Sequence, residues 1–217
     1  MNVGIIIPSR LKSSRLPEKA LIKICDREMI LHVCDRLESL NHDKIVATDS
    51  EIIRDVVVEN GYIAIMTGEC ETGTDRVYEI AKNSDYDIII NVQGDEPAIN
   101  KTDIENVIEF KKQNMGYIIG TKAKIKKEDI INKNVVKVLE DGTLTRDVVD
   151  TEYRQQGVYA FTLQELEEFV KLKGKEVEGI ELTRINKDKI KFTIIEHSQA
   201  VDVFEDIEKI EKIIRGI

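Results

Sequence analysis

Aliphatic runs alternate with amphipathic segments through the first half of this chain. Four short runs have the length and composition of strands, the first of them a buried strand by its aliphatic run: Val3–Ile7, Lys44–Ala47, Tyr62–Met66 and Asp87–Val92. Four longer segments carry apolar residues at helical spacing: Glu28–Leu40, Glu51–Glu59, Thr74–Lys82 and Lys101–Gln113. This alternation predicts repeated βα units and a mostly parallel sheet.

Several of these helices carry capping signals. Asn60-Gly61 is suited to close the second helix, and Thr72 or Thr74 is available to cap the third. Thr102 and Glu105 have the spacing of a capping box at the fourth helix. We therefore expect sharp boundaries in this part of the chain.

The second half has a different pattern. Strands are predicted at Tyr117–Ala123, Val135–Leu139, Gly157–Phe161 and Lys191–Ile195, and helices at Leu163–Leu172 and Phe204–Ile214. Asp141-Gly142 is a hairpin signal. No stretch rich in Gly, Pro or Ser separates the halves. We predict one domain, residues 1–217, of the α/β class: a mixed, mostly parallel sheet flanked by helices, with a smaller antiparallel portion in the second half.

Composition narrows the functional classes. With 217 residues, 41% hydrophobic and 34% charged, the chain can bury a full core. The net charge of −9 argues against a nucleic-acid partner or an anionic membrane surface. Three cysteines without a CxxC pair, no signal-peptide pattern and no long apolar stretch together predict a cytoplasmic protein that does not enter membranes.

A cationic loop follows the first predicted strand. It contains four cations and three hydroxyls: Arg10, Lys12, Arg15, Lys19, Ser9, Ser13 and Ser14. Ligands of open α/β sheets bind at the carboxyl ends of strands, and Arg and Lys bind phosphate oxygens. The loop matches neither the Walker nor the dinucleotide-binding glycine pattern. It predicts a site for a small polyphosphate; a solvated basic loop is the alternative.

Carboxylates offer a candidate metal site. Asp95, in the segment Asn91–Pro97, follows an aliphatic strand, where it could hold Mg²⁺ together with substrate phosphate oxygens. Asp202 is a second candidate. For Asp95 the alternative is a tight turn, and for Asp202 it is a helix cap or a surface position.

Another candidate segment, Glu71–Arg76, has hydroxyls at a predicted helix start that could receive an anion or a base edge; an ordinary helix cap is the alternative. The three histidines lack metal-ligand spacing, so a zinc site is not predicted. The G-x-S-x-G pattern of a serine hydrolase is missing too.

Taken together, these motifs resemble the CMP-Kdo synthetases, the 3-deoxy-manno-octulosonate (Kdo) cytidylyltransferases. The resemblance spans nearly the whole chain. It rests on Ile7–Arg10, Ser14–Lys19, Val46–Asp49, Thr72–Arg76, Asn91–Pro97, Asn132–Lys137, Gly157–Tyr159 and Val201-Asp202. It implies a nucleotidyltransferase (Rossmann-like) α/β fold, CTP as nucleotide and an acidic sugar as acceptor. A hydroxyl of the sugar would attack the α-phosphate and release pyrophosphate.

The resemblance also implies roles for residues. The nucleotide-binding set would be Pro8, Ser9, Arg10, Arg15, Lys19, Thr74, Arg76 and Gln93. The acceptor-binding set would be Gln93, Arg146, Gln155, Tyr159 and Glu181. Asp95 and Asp202 would bind Mg²⁺, and with Arg15 and Lys19 they would form the catalytic set. A homodimer is a further expectation.

The departures from the family lie on the acceptor side. Gln155 stands where the family usually has histidine, the segment between Arg146 and Arg154 is shorter, and the chain has no tryptophan. Three hypotheses follow: transfer of CMP to Kdo or a related acidic sugar, transfer to another sugar acid, a phosphate or a phosphonate, and non-catalytic nucleotide binding. The presence of both carboxylates together with Arg15 and Lys19 favours the enzymes.

Overall fold

A computed structural model describes residues 1–13 and 16–216 of the chain. The strands are β1 Val3–Ser9, β2 Lys23–Ile24, β3 Arg27–Glu28, β4 Asp43–Thr48, β5 Ile63–Met66, β6 Ile88–Val92, β7 Ile118–Lys124, β8 Lys137–Val138, β9 Leu144–Thr145, β10 Tyr153–Phe161 and β11 Ile190–Ile194. The α-helices are α1 Met29–Leu37, α2 Glu51–Glu59, α3 Gly73–Ala81, α4 Lys101–Gln113, α5 Lys127–Ile130, α6 Leu163–Lys171 and α7 Phe204–Arg215.

The main sheet has the strand order β11-β7-β10-β6-β1-β4-β5, with β8 and β9 joined to it through β10. Strands β6, β1, β4 and β5 are parallel neighbours, and β11 runs parallel to β7. β10 lies antiparallel between β6 and β7. The mixed, mostly parallel sheet predicted from the sequence is therefore confirmed, as is the antiparallel portion.

Helices cover both faces of this sheet. Apolar residues of α1, α2 and α4 pack on one face, and those of α3 and α6 pack on the other. A smaller cluster joins Leu16, Ile24, Met29, Val201 and Ile210. This cluster connects the start of the chain to α7, so it brings the two ends of the sequence to one side of the sheet. Among the helices that the structure describes, none has the length and apolarity that crossing a bilayer requires.

Two local predictions need correction. The first strand, predicted as Val3–Ile7, continues to Ser9, because Pro8 and Ser9 still pair with Ala47 and Thr48 of β4; the ladder with β6 has already ended at Ile6. The predicted capping box of Thr102 and Glu105 is wrong: α4 starts at Lys101, and the side chain of Asn100 accepts from the Thr102 N–H at 3.0 Å. Asparagine is as good a cap as threonine, and it stands one residue before the helix.

The predicted hairpin is confirmed. Lys137 pairs with Thr145 and Val138 with Leu144 across the Asp141-Gly142 turn. β10 begins at Tyr153, four residues before the predicted start at Gly157. Its polar first part pairs with β7, and the register shifts between Gln156 and Tyr159.

Candidate active site

The carboxyl ends of β1 and β6 open into a cavity of about 610 Å³, a size usual for a small-molecule site. Its walls come mainly from five parts of the chain: the opening loop, the start of α3, the turn after β6, the segment around Glu181 and the segment around Asp202. The lining residues are Pro8, Ser9, Arg10, Ser13, Lys19, Ala20, Met29, Cys70, Glu71, Thr72, Gly73, Arg76, Gln93, Gly94, Asp95, Glu176, Gly179, Glu181 and Asp202.

The opening loop provides the cationic wall. Pro8 and Ser9 end β1, the exposed Arg10 follows, and Lys19 approaches from the far end of the loop. The predicted nucleotide-binding residue Arg15 lies outside the described residues, as does Ser14. The turn after β6 comes very close to this wall, because a Cβ added to Gly94 would lie 2.9 Å from the carbonyl oxygen of Pro8.

Lys19 meets both candidate metal carboxylates. Its Nζ lies 2.5 Å from Asp95 Oδ2 and 3.3 Å from Asp202 Oδ1. The backbone explains why residues so distant in sequence meet: the Val201 N–H donates to the Asp95 carbonyl at 2.9 Å, and Val201 is fully buried. The predicted proximity of Asp95 and Asp202 is thus a feature of the structure.

These carboxylates suit a hard cation. Mg²⁺ takes one or two carboxylates and completes its octahedron with water and substrate phosphate oxygens. Asp95 and Asp202 can supply that number, and both line the cavity. Within the described residues, no group of three or more His, Cys, Asp or Glu side chains forms a metal-binding cluster. The arrangement therefore fits a metal held jointly with a phosphorylated ligand.

A third carboxylate, Glu96, lies directly behind Asp95. Its side chain is buried, and Oε1 accepts from the Gly157 N–H at 3.0 Å. Burial, with a further contribution from the charge of Asp95, raises the pKa of Glu96 to about 7. Glu96 ties the turn after β6 to β10, a role for which the sequence motif gave no specific signal.

The start of α3 forms another wall. Thr72 caps the helix in a reciprocal capping box with Asp75, and Gly73 faces the cavity. Arg76, expected to place the nucleotide, is buried. One arm of its guanidinium donates to Asp49 at 2.7 Å, and the other donates to the Thr67 hydroxyl. Its described contacts thus tie the ends of β4 and β5 to the cavity wall.

A chain of polar side chains connects two residues that line the cavity, Gln93 and Glu181. Gln93 Nε2 donates to Asn91 Oδ1 at 3.3 Å, and Asn91 Nδ2 donates to Thr74 Oγ1 at 3.1 Å. The Thr74 hydroxyl donates in turn to Glu181. Asn91 and Thr74 are fully buried. Burial raises the pKa of Glu181, while the Thr74 hydroxyl and the charge of Arg184 oppose that shift.

Glu181 is held at the cavity by a buried arginine. The side chain of Arg184 is inaccessible to solvent, donates to Asp75 at 2.9 Å and also bonds to Glu176. These bonds attach the segment that carries Glu176, Gly179 and Glu181 to the first turn of α3. In the sequence, Arg184 and Glu176 cannot be told from ordinary surface charges, so the sequence carries no signal for this buried ion pair.

The other predicted acceptor residues lie elsewhere. The Arg146 side chain donates to the backbone carbonyls of Glu178, Lys133 and Asn134. Gln155 donates to the hydroxyl of the buried Tyr159 at 2.8 Å. Among the described residues that line the cavity, none of these three appears. Their assignment to the acceptor stays a prediction.

Comparisons with known proteins agree on one family. The sequence profile described as cytidylyltransferase matches residues 4–214. A 3-deoxy-manno-octulosonate cytidylyltransferase from Chloroherpeton thalassium is 33% identical, covering 99% of this chain and 98% of that protein. One from Trichlorobacter lovleyi is 45% identical over 146 residues, which are 65% of this chain and 58% of that relative. The chain thus spans less than two thirds of the Trichlorobacter protein.

Solved structures give the same result. A CMP:2-keto-3-deoxy-manno-octonic acid synthetase complexed with CTP matches with a TM-score of 0.90 at 26% identity, covering 100% of this chain and 99% of that one. A 4-diphosphocytidyl-2C-methyl-D-erythritol synthase from Anaerococcus prevotii matches with a TM-score of 0.69 at 15% identity, covering 99% of this chain and 96% of that one. At that identity the second match supports the fold alone.

Proposed function

This chain belongs to the cytidylyltransferase family, and from that premise we propose that it transfers CMP from CTP to 3-deoxy-manno-octulosonate, with release of pyrophosphate. The observation that carries the proposal is the meeting of Lys19 with Asp95 and Asp202 inside a cavity of about 610 Å³. The cation suits the phosphates of a nucleotide, and the two carboxylates suit a metal ion that is bound together with those phosphates.

The same proposal makes Mg²⁺ the cofactor and Asp95 and Asp202 its protein ligands. When bound, the metal supplies charge neutralisation at the phosphates and acidifies a coordinated hydroxyl. The donor set supports Mg²⁺, because two carboxylates leave coordination positions for phosphate oxygens and water.

The protein's own part in the reaction is to position the substrates and to neutralise charge. The bond that forms joins a sugar oxygen to the α-phosphorus. The bond that breaks joins the α-phosphorus to the oxygen that leaves with pyrophosphate. No protein nucleophile is required, so holding the two reactants in line accounts for much of the rate. Lys19 and Arg10 offset phosphate charge from the cationic wall. Arg15 is proposed for the same role on the resemblance alone.

The observations constrain the identity of the acceptor less than that of the nucleotide. The match to a Francisella tularensis 3-deoxy-manno-octulosonate cytidylyltransferase extends over 245 positions, more than the 217 residues of this chain, so that relative contains residues without a counterpart here. Gln155, which stands where the resemblance expects a histidine, is a second departure, and it belongs to the predicted acceptor residues. These two observations keep a different sugar acid, a phosphate or a phosphonate as the second candidate.

A pyrophosphate-release assay tests the proposal. Purified protein is incubated with CTP, Mg²⁺ and a panel of acceptors that contains 3-deoxy-manno-octulosonate, other sugar acids and phosphate or phosphonate compounds. We expect release with 3-deoxy-manno-octulosonate. Release with another acceptor alone would select the second candidate. No release and no CTP binding would remove both enzyme assignments.

The proposal also includes the cellular compartment and the oligomeric state of the protein. The described cysteines, Cys25, Cys34 and Cys70, are all free thiols, which supports a reducing compartment such as the cytoplasm. The homodimer implied by the resemblance remains a prediction, and light scattering of the purified protein would test it.

A further inference from the structure

The hydrogen bonds of the polar chain from Gln93 to Glu181 all run in one direction, because each side chain donates to the next one toward Glu181. An ionised carboxylate can only accept hydrogen bonds, so the Thr74 hydroxyl donates its single hydrogen to Glu181. Its lone pairs then receive the amide N–H of Asn91. The carbonyl oxygen of Asn91 is consequently turned to the amide nitrogen of Gln93. Each bond fixes the orientation of the next.

The last group in this chain is the Gln93 carbonyl oxygen. It accepts no hydrogen bond from any residue in the described ranges 1–13 and 16–216. It lies beside the start of α3, since a Cβ added to Gly73 would be 3.3 Å from Gln93 Oε1 and 3.2 Å from Pro8 Cγ. Gln93, Gly73 and Pro8 all line the cavity. The oxygen is therefore available to a ligand that donates a hydrogen bond.

We propose that Asn91, Thr74 and Glu181 form a positioning relay that presents Gln93 Oε1 to a hydrogen-bond donor of a bound substrate. The inference rests on the proposed function and adds a specificity element to it. Phosphate oxygens of the nucleotide only accept, so the donor is a hydroxyl of the sugar acid or a donor group of the nucleoside, either a ribose hydroxyl or the cytosine 4-amino group. Asn91 and Thr74 act through Gln93, and Glu181 terminates the relay.

A matched pair of variants at Thr74 tests the relay by kinetics. Thr74→Val keeps the shape of the side chain and removes the hydroxyl, whereas Thr74→Ser keeps the hydroxyl. We expect Thr74→Val to raise the KM of one substrate about 3- to 10-fold, as for loss of one hydrogen bond to a ligand. The kcat should stay within about twofold, because a hydrogen bond made equally in the ground state and the transition state contributes to KM and not to kcat. Thr74→Ser should keep that KM near the wild-type value.

Varying CTP at saturating acceptor, and acceptor at saturating CTP, identifies which substrate carries the bound donor. A raised KM for the sugar acid assigns the donor to the acceptor, and a raised KM for CTP assigns it to the nucleoside. The proposal is overturned if neither KM changes, or if Thr74→Val and Thr74→Ser behave alike.

A second measurement needs no turnover, so failure of the relay and failure of the proposed function are distinguishable. In ¹⁵N-labelled protein, the side-chain amide signal of Gln93 is identified by its loss in Gln93→Leu. We expect it to shift and to exchange faster with water in Thr74→Val but not in Thr74→Ser. Glu181→Leu, at the other end of the relay, should reproduce the shift if Thr74→Val folds poorly. An unchanged Gln93 signal in folded Thr74→Val or Glu181→Leu would overturn the relay.

Discussion

Lys19 acts as a counter-ion of two carboxylates, so its removal should strengthen the repulsion between those carboxylates. Both oxygens contact the same Nζ, at 2.5 and 3.3 Å, so the sum of these distances, 5.8 Å, is the upper limit on their separation. Two unit charges at that distance repel by about 3 kcal/mol at an effective dielectric constant of 20. The Asp202 side chain is 42% exposed, so solvent screening reduces the expected cost to about 1–2 kcal/mol.

The perturbation is Lys19→Met, measured by thermal unfolding in EDTA and again with Mg²⁺. We expect the melting temperature in EDTA to fall by roughly 2–8 °C, the shift that 1–2 kcal/mol causes in a chain of this size. Mg²⁺ should stabilise the variant more than the wild type, because the cation no longer competes with Lys19 for the carboxylates. Turnover should fall on the order of 10²–10³, as for loss of one electrostatic partner.

Two controls isolate the effect. Lys23→Met removes a lysine that is 64% exposed and lies 3.7 Å from Glu28, and its stability should be unchanged within about 0.5 kcal/mol. Adding Asp95→Asn to Lys19→Met removes one of the repelling charges, and we expect it to restore stability in EDTA and to reduce the Mg²⁺ effect. If Lys19→Met melts like Lys23→Met in EDTA and gains nothing extra from Mg²⁺, the counter-ion account is refuted.

Three further predictions concern the proposed metal ligand, a glycine and a buried ion pair. Asp95→Asn should lose about 10²–10³ in turnover with the fold retained, and wild-type activity would remove Asp95 from the metal role. Gly157→Ala should cost about 1–3 kcal/mol in urea unfolding, because its Cβ would lie 2.4 Å from Glu96 Oε1 and 2.8 Å from Gln93 Cγ; an unchanged midpoint would contradict this. Lys111→Met breaks a buried pair with Glu165 at 2.5 Å and should cost about 3–5 kcal/mol. The neighbouring Lys112→Met should cost under about 1 kcal/mol, and equal effects would refute the argument.

The sequence predicted those parts of the fold that depend on hydrophobic pattern. The aliphatic runs at β1, β4, β5 and β6 were identified within one or two residues. For β1, β4 and β6 the reason is that buried parallel strands are nearly continuous in Val and Ile, whereas β5 is an aliphatic but largely exposed edge strand. The first part of β10 was missed, since Tyr153 to Gln156 is polar and pairs with β7 without a hydrophobic signal. The two-residue strands β2 and β3 and the single-turn helix α5 are too short to produce a periodicity.

For the candidate site, motifs and the family resemblance named the candidates, and the structure brings part of them together in one cavity. Asp95 was identified by its place after a strand, but its contact with Lys19, and the Val201 N–H bond that brings Asp202 beside it, are apparent only in the structure. The buried ion pairs of Arg184 could not be predicted from one sequence, because a charge that will be buried looks the same as one that will be exposed. Asn91 was read as part of a motif, and its role became apparent only from its bonds to Gln93 and Thr74.

The measurement that tests the central claim most directly is release of pyrophosphate by the wild-type protein with CTP and Mg²⁺, in the presence and absence of 3-deoxy-manno-octulosonate. The account predicts release that requires both substrates, with one CMP transferred to the sugar acid for each pyrophosphate formed. Absence of release with 3-deoxy-manno-octulosonate, from protein that is folded and binds CTP, would contradict it.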